Sequence, residues 1–346
     1  MDAVERVETS WRGAHNMDWQ GRQVLVTGAG GFIGSHLAEQ LAREGARVRA
    51  FVLYNSFSSW GWLDHSPPSL RNNMEIFPGD VRDAERVAEA VCGCEVVFHL
   101  AALISIPYSY QAPESFVDTN VRGTLNVLNA ARRQGGVKVI HTSSSEVYGT
   151  PETVPIRETH PLQAQSPYSA SKIAADKLAE SFYHSFELPV VVLRPFNTYG
   201  PRQSARAVLP ALLIQLLAGK REIILGALWP RRDLTYVDDT VAGFLCAAQS
   251  ERAVGRTVQL GTGRDVSIGE LAEIAIQILS VEAHVRSEAE RMRPAGSEVE
   301  RLLSDPSLAA DLINWRPTVP LEEGIRRTAD WLRDHLDQYK VDQYVV

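Results

Sequence analysis

Tyr168 and Lys172 set a phenol and an ammonium four residues apart, on one face if the segment is helical. A free phenol ionises at about pH 10. A nearby cation stabilises the phenolate and brings it toward neutral pH, where it can act as a base. This spacing alone is common in ordinary helices. Its weight comes from a second segment, Val24-Leu-Val-Thr-Gly-Ala-Gly-Gly-Phe-Ile-Gly34, an apolar strand that breaks into glycines and opens a helix. Gly28 suits a tight turn, Gly31 a close backbone approach to a pyrophosphate, and Gly34 close packing of helix on sheet. The helix N-terminus then offers free N–H groups and its dipole to the phosphates. Together the segments describe a nicotinamide dinucleotide with a tyrosine base beside it, the cationic ring adding to the pull on the phenol.

Other residues extend the site. His141-Thr-Ser-Ser-Ser-Glu146 places the Ser144 hydroxyl at the end of a strand. Lys172 can also hold the nicotinamide ribose. The second strand ends in Val52-Leu-Tyr-Asn55, with no acid for an adenosine 2′-hydroxyl and no arginine for a 2′-phosphate. The reading is NAD, with NADP left open. Asp80 is either an adenine contact or a helix cap. Leu100, Ala101 and Ala102 leave room for a cofactor to cross.

The elements that must position these groups alternate. Strands are expected at Gln23–Thr27, Val48–Leu53, Met74–Phe77, Val96–Leu100, Lys138–Thr142 and Val190–Arg194. Helices are expected at Gly34–Glu44, Ala84–Val91, Glu114–Gln134 and Ser166–Phe186. Strands alternating with helices predict an α/β fold, a Rossmann-type doubly wound parallel sheet. The expected organisation is a polar extension over 1–20, with Met17 just ahead of the core, and a dinucleotide domain over 21–195 with later returning segments. A smaller C-terminal substrate lobe follows, mainly 196–338, with helices at Ala207–Ala218 and Ile268–Leu279. Leu53–Pro68 is long for a strand-to-helix connection, and its aromatics suggest an ordered lid.

Composition narrows the function classes. The chain has 346 residues, 45% apolar and 22% charged, with net charge −7 and pI about 5.8. That argues against nucleic-acid binding through a broad basic surface, while a phosphate site needs only a few local cations. The three cysteines, Cys92, Cys94 and Cys246, give no disulfide framework and fit a reducing cytoplasm. Cys92-Gly-Cys94 lacks the partners of a metal site and reads as plain burial, so no metal is expected. No apolar run reaches membrane-spanning length, and the N-terminus has no signal-peptide core.

The chain resembles the extended short-chain dehydrogenase/reductase family of nucleotide-sugar enzymes. The resemblance is carried by the Gly-rich loop, Asp80, Ser144, Tyr168-x-x-x-Lys172, Arg194-Pro-Phe-Asn197, Arg232-Asp233 and Tyr236-Val-Asp-Asp239. It implies further cofactor contacts at Phe32, Ile33, Asn55, Val81, Asn120 and Pro195. It also implies substrate contacts at Ser105, Asn197, Arg206, Val208 and Leu225, a diphosphate held by Arg232 and Arg293, and Glu298 near the nucleotide ribose. Homodimers in this family pair the two long helices across a two-fold axis as a four-helix bundle. Tyr54–Asp64, Ala101–Pro107, Pro195–Arg206 and Arg293–Arg301 are similar to the dehydratases of legionaminic-acid-type pathways, which act on a nucleotide-linked N-acetylglucosamine.

Ser144-Ser145-Glu146 resembles the run found in sugar 4,6-dehydratases. A ketone at carbon 4 acidifies the carbon-5 proton, and Glu146 is placed to remove it and pass it to the leaving carbon-6 hydroxyl. Ser145 stands where some relatives carry an acid. Three other readings stay open: a 4-epimerase, which would leave Glu146 idle; a UDP-glucuronate decarboxylase, for which no cation can be assigned to the substrate carboxylate; and a non-catalytic dinucleotide sensor, in which the Tyr, Lys or hydroxyl is commonly lost.

Overall fold

The computed structural model describes residues 18–341, and the expected extension up to Met17 lies outside them. Trp19 is no part of a polar extension: it is buried, 5.9 Å from the Phe98 ring.

The first half runs β1 (Gln23–Thr27), α1 (Phe32–Arg43), β2 (Arg47–Leu53), α2 (Pro68–Arg71), β3 (Met74–Gly79), α3 (Ala84–Val91), β4 (Val96–His99), α4 (Ile106–Gln111), α5 (Pro113–Phe116), α6 (Gly123–Gln134), β5 (Lys138–Thr142), α7 (Pro167–Phe186) and β6 (Val190–Pro195). The second half adds β7 (Asn197–Tyr199), α8 (Val208–Leu217), β8 (Glu222–Leu225), β9 (Arg231–Arg232), β10 (Leu234–Tyr236), α9 (Val237–Gln249), β11 (Thr257–Leu260), β12 (Val266–Ser267), α10 (Ile268–Leu279), β13 (His284–Ser287), β14 (Arg301–Leu302), α11 (Ser307–Leu312) and α12 (Leu321–Asp334).

Seven strands form one sheet in the order β11-β6-β5-β4-β1-β2-β3, every pairing parallel. The chain reverses direction between β1 and β4, and the crevice outside the strand ends at such a switch point is where ligands bind. Helices cover both faces, which is why β4 and β6 read as nearly unbroken apolar runs. The seventh strand, β11, returns from the second half.

The helix expected over Glu114–Gln134 carries a π-helical turn, Val117–Arg122, between α5 and α6. Its extra residue puts Asn120 in the interior. Of the cysteine pair, only Cys94 is buried; Cys92 is exposed. Among the described residues no helix is long and apolar enough to cross a membrane.

The segment Leu53–Pro68 is ordered, but by half of its aromatics. Tyr54 and Phe57 are exposed. Trp62 instead packs edge-on against Trp331, centroids 5.4 Å apart, and lies 6.4 Å from Tyr339. The Trp62 N–H donates to Gly30 O at 2.9 Å, so the segment rests on the Gly-rich turn itself.

Candidate active site

The turn after β1 is shaped by what approaches it. Gly28 has φ +71°, and a Cβ there would meet Ala101 N at 2.9 Å. A Cβ on Gly34 would meet Gly28 O at 2.1 Å, so the closeness it permits is of helix on turn. Gly30, which sequence reasoning passed over, is needed as well: its Cβ would sit 2.5 Å from Trp60 O. Gly31 caps α1 with extended backbone and no side-chain hydrogen bond, leaving the first-turn N–H groups to a ligand. Phe32 and Ile33 follow it, half-buried on the core. A glycine cradle over an uncapped helix N-terminus fits a dinucleotide pyrophosphate.

Around this turn Thr27 organises the end of β4. Its Oγ1 accepts from the N–H groups of both Leu100 and Ala101 at 3.1 Å. Its own proton therefore goes to His99 Nδ1, 2.8 Å away. The other ring nitrogen of His99 then carries hydrogen and donates to Thr124 Oγ1 at 3.0 Å, which donates to Asn120 O. Asn120 donates to Leu103 O and Ser171 Oγ and accepts from Leu103 N. Its amide thus fastens the 100–103 stretch, with Ala102, to α7. Thr27, His99 and Thr124 carry no local signal; only the fold brings them together.

Asp80 is paired with Arg82 at 2.6 Å, and the hydrogen bond from Arg82 holds its carboxyl below the usual range. It does not cap α3; Asp83 does. Val81 is packed against Gly123. Asn55 is used by its own loop, donating to Ser59 O and accepting from Phe57 N. Pro195 ends β6 opposite Leu260.

Tyr168 and Lys172 enter through a helix start that is strongly specified. Ser166 forms a capping box with Ser169, and Pro167 takes the first helical position. Both functional side chains are buried. Lys172 Nζ donates to the carbonyl of Thr142 at the end of β5. Burial lowers Lys172 to about 8, opposed by the charge of Asp176. Burial raises the Tyr168 phenol to about 12; a hydrogen bond with Ser144 pulls the other way, and the charge of Glu146 adds to the rise. The phenol so placed is therefore further from neutral pH than the sequence reading expects, because desolvation outweighs the neighbouring hydroxyl.

Ser144 caps a short 3₁₀ turn, Ser145–Tyr148, its Oγ accepting from Glu146 N at 3.2 Å. Ser145 is buried. Glu146 points its carboxylate to within 3.7 Å of Arg293 Nη1. The same Arg293 nitrogen is 3.9 Å from Glu298, which also pairs with Arg232 at 3.1 Å. Arg232 donates further to Val299 O at 2.8 Å. Glu146, Arg232, Arg293 and Glu298 therefore form one cluster. Arg293 Nη1 is shut from solvent with no hydrogen bond within normal distance among the described residues, and so, on β7, is Asn197 Oδ1. A guanidinium nitrogen held by carboxylates only at ion-pair range, and an acceptor with no partner, fit a polar ligand.

A cleft of about 240 Å³ opens beside Arg293, lined in part by Pro107, Tyr110, Gln111 and Met292. Tyr110, on its wall, bonds through Oη to Ser297 Oγ at 2.5 Å, a contact no sequence pattern announces. Ser105 caps α4, accepting from Tyr108 N. Val208 begins α8, and Leu225, buried, ends β8. Arg206 takes no part in the cluster; it bonds to Ser204.

A family model described as GDP-mannose 4,6 dehydratase matches residues 25–328. A UDP-glucose 4-epimerase of Mycolicibacterium smegmatis is 33% identical over 317 residues, spanning 90% of this chain and 99% of its own. A dTDP-glucose 4,6-dehydratase of Streptomyces antibioticus is 33% identical over 316 residues, spanning 90% and 92%. The solved structure of DesIV, a dTDP-glucose 4,6-dehydratase from Streptomyces venezuelae with NAD and TYD bound, superposes with a TM-score of 0.80 at 28% identity, covering 92% of this chain and 99% of that one.

Proposed function

Since the chain belongs to the nucleotide-sugar dehydratase and epimerase family of extended short-chain dehydrogenases/reductases, with NAD as its cofactor, we propose that within that range of 4,6-dehydratases and 4-epimerases it is a 4,6-dehydratase. Its substrate in this reading is a GDP- or UDP-linked N-acetylglucosamine. The observation that carries the reaction type is Glu146, a half-buried carboxylate two residues past the Ser144 hydroxyl that bonds Tyr168. A 4-epimerase has no work for it. The N-acetylhexosamine rests on the resemblance of the 54–64, 101–107, 195–206 and 293–301 segments.

The Gly28–Gly34 cradle and the open N-terminus of α1 would hold the NAD pyrophosphate; when bound, the cofactor would supply the hydride exchange between carbon 4 and carbon 6 and, oxidised, a cationic ring beside the phenol. Tyr168 Oη takes the proton of the carbon-4 hydroxyl, with Ser144 Oγ bridging the two oxygens. Lys172 stabilises the phenolate and holds the ribose. The carbon-4 ketone acidifies the carbon-5 proton, which Glu146 removes and delivers to the carbon-6 hydroxyl as it leaves as water. A solvent-derived proton is then added at carbon 5, so the sugar has lost one water and no net redox has occurred. Arg232 and Arg293 clamp the diphosphate, Glu298 takes the nucleotide ribose, and Asn197 offers its bare carbonyl to the substrate. α6 and α7, with half-buried Leu125 and Leu178, form a homodimer bundle, and the enzyme works in the cytoplasm.

The test is incubation with GDP-GlcNAc, UDP-GlcNAc and UDP-glucuronate in deuterated water, followed by mass spectrometry. Loss of one water with one deuteron gained establishes the dehydratase and names the nucleotide. A new stereoisomer of unchanged mass makes the protein an epimerase. Loss of carbon dioxide from the glucuronate makes it a decarboxylase, and bound NAD without turnover of any sugar revives the sensor.

A further inference from the structure

Asp176 lies one turn beyond Lys172 on α7, and the chemistry above gives it no task. It is fully buried. Its carboxylate takes four donor contacts: His141 Nε2 at 3.1 Å, Ser143 Oγ at 2.6 Å, and Arg194 through Nε at 3.2 Å and Nη2 at 2.8 Å. Arg194 is buried too and donates from Nη1 to Tyr148 Oη at 3.2 Å. Tyr148 donates to Gln259, which donates to the carbonyls of Ile156 and Asp305. The bonds thus run from α7 across the ends of β5 and β6 to β11 and the second half of the chain.

Two of these partners bracket the catalytic groups. His141 and Ser143 flank Thr142, whose carbonyl holds Lys172, and Ser143 precedes Ser144. A buried ion pair is a costly way to join helix and sheet, since apolar packing does so at least as well. The pair therefore calls for a reason beyond stability. The groups facing Lys172 supply one. His99 from β4 and His141 from β5 are both shifted down by burial and stay neutral at pH 7. Arg194 from β6 is a cation, and Tyr168 on α7 is a phenol with Glu146 near it. Asp176 is the negative charge that acts on Lys172.

We propose that Asp176 is a positioning residue for the carbon-4 oxidation. It holds the Thr142 carbonyl and Ser144 in register with Lys172, and it is the counter-charge that keeps Lys172 an ammonium in a dry site. This rests on the Tyr168–Lys172 oxidation chemistry and not on which sugar is processed. Burial draws Lys172 down to about 8 even with Asp176 opposing it. Without that opposition the lysine falls further, and less of it is charged to support a phenolate.

The chain holds five lysines, Lys138, Lys172, Lys177, Lys220 and Lys340, so a ¹³Cε-lysine NMR titration resolves them, with Lys172→Arg for assignment. The wild-type Lys172 midpoint is expected near 8. Asp176→Asn should lower it by about one unit or more. That variant strands a buried guanidinium, so Asp176→Asn/Arg194→Gln, which removes the pair whole, is the companion and should show a fall in the same direction, smaller because a cation leaves with the carboxylate. Ser143→Ala removes a hydrogen bond and no charge, and should leave the midpoint in place. In turnover, the alkaline limb of kcat should move down with the Lys172 midpoint while KM holds; a merely structural residue would lower kcat equally at every pH. An unmoved Lys172 in the folded double variant, a Ser143→Ala shift as large as the charge removal, or a wild-type midpoint below about 7 would each overturn the proposal. The titration needs no substrate, so it reads out whether or not the dehydratase assignment stands.

Discussion

Glu146 and Arg293 bring their charged ends to 3.7 Å although 147 positions separate them in the chain. The residue read as carbon-5 base thus touches the residue read as diphosphate clamp, and both meet Glu298 through the same guanidinium. Glu146→Gln keeps the shape and removes the base. The expected outcome is loss of water elimination by about 10²–10⁴-fold. Oxidation at carbon 4 should persist, seen as reduced-nicotinamide absorbance on adding substrate. If Glu146→Gln retains dehydration, the base lies elsewhere. Arg293→Lys, which loses the fork but keeps a charge, should act chiefly on KM.

Gly61 permits the contact that seats the 53–68 segment. Its φ is +65°, and a Cβ there would meet Gly30 O at 2.3 Å. Gly61→Ala should cost more than about 1 kcal/mol and lift the segment from the pyrophosphate turn. Differential scanning calorimetry with and without NAD checks this: the variant should melt lower and gain less from the cofactor than the wild type. An equal gain would separate the segment from cofactor binding.

How much of this the sequence made legible follows from the range of each signal. Of the first six strands of the main sheet, β1, β4, β5 and β6 were readable because strands buried on both faces are mostly apolar runs, while β2 and the edge strand β3, broken by Arg47, Arg49 and Glu75, were readable from their place in the alternation with helices. Tyr168 with Lys172, and Ser144 with Glu146, were readable because each pair lies within one turn of chain. Partners distant in sequence were not. Gly30 needs Gly61, Glu146 meets Arg293, and Asp176 meets Arg194 only after folding. The strand β11 hid because four residues between glycines, Gly255 before and Gly261 after, carry no period of their own. The π turn hid because one extra residue leaves the apolar pattern of its helix nearly unchanged. The aromatics of 53–68 were legible as a group, but which of them pack was decided by Trp331 and Tyr339, far along the chain.

Trp62 is the anchor of that segment on α12 and the residues after it. It contacts Trp331 edge-on and lies near Tyr339, whose hydroxyl donates to Gln203 O at 3.2 Å. Removing the half-buried ring in Trp62→Ala should destabilise the protein by about 1–2 kcal/mol through lost burial and ring contacts. Trp331→Ala should cost a similar amount, and the double variant less than the sum, since both remove the same contact. Denaturant unfolding of the three variants measures the coupling; strict additivity would mean the rings do not stabilise one another.

Acid sensitivity should come from histidines that the fold keeps neutral. His36 sits on α1 with its Nε2 3.1 Å from Pro201 O, beside an Arg202 that pairs with Glu39 at 2.8 Å. Burial first, and then the charge of Arg202, lowers its pKa from 6.5 to about 4. The sign follows directly. Between pH 6.5 and 4 the unfolded chain binds a proton at this position and the native one does not, so stability falls as the pH drops through that window. Below about pH 4 both states are protonated and the loss is complete, at most about 3 kcal/mol for a group that is only half-buried. His99 and His141, also shifted down by burial, act in the same direction. His36→Gln should therefore flatten the fall of the melting temperature between pH 6.5 and 4 relative to the wild type, with little change at pH 8. A variant as acid-sensitive as the wild type would assign the effect to the two deeper histidines, and His99→Gln would then be the variant that flattens it.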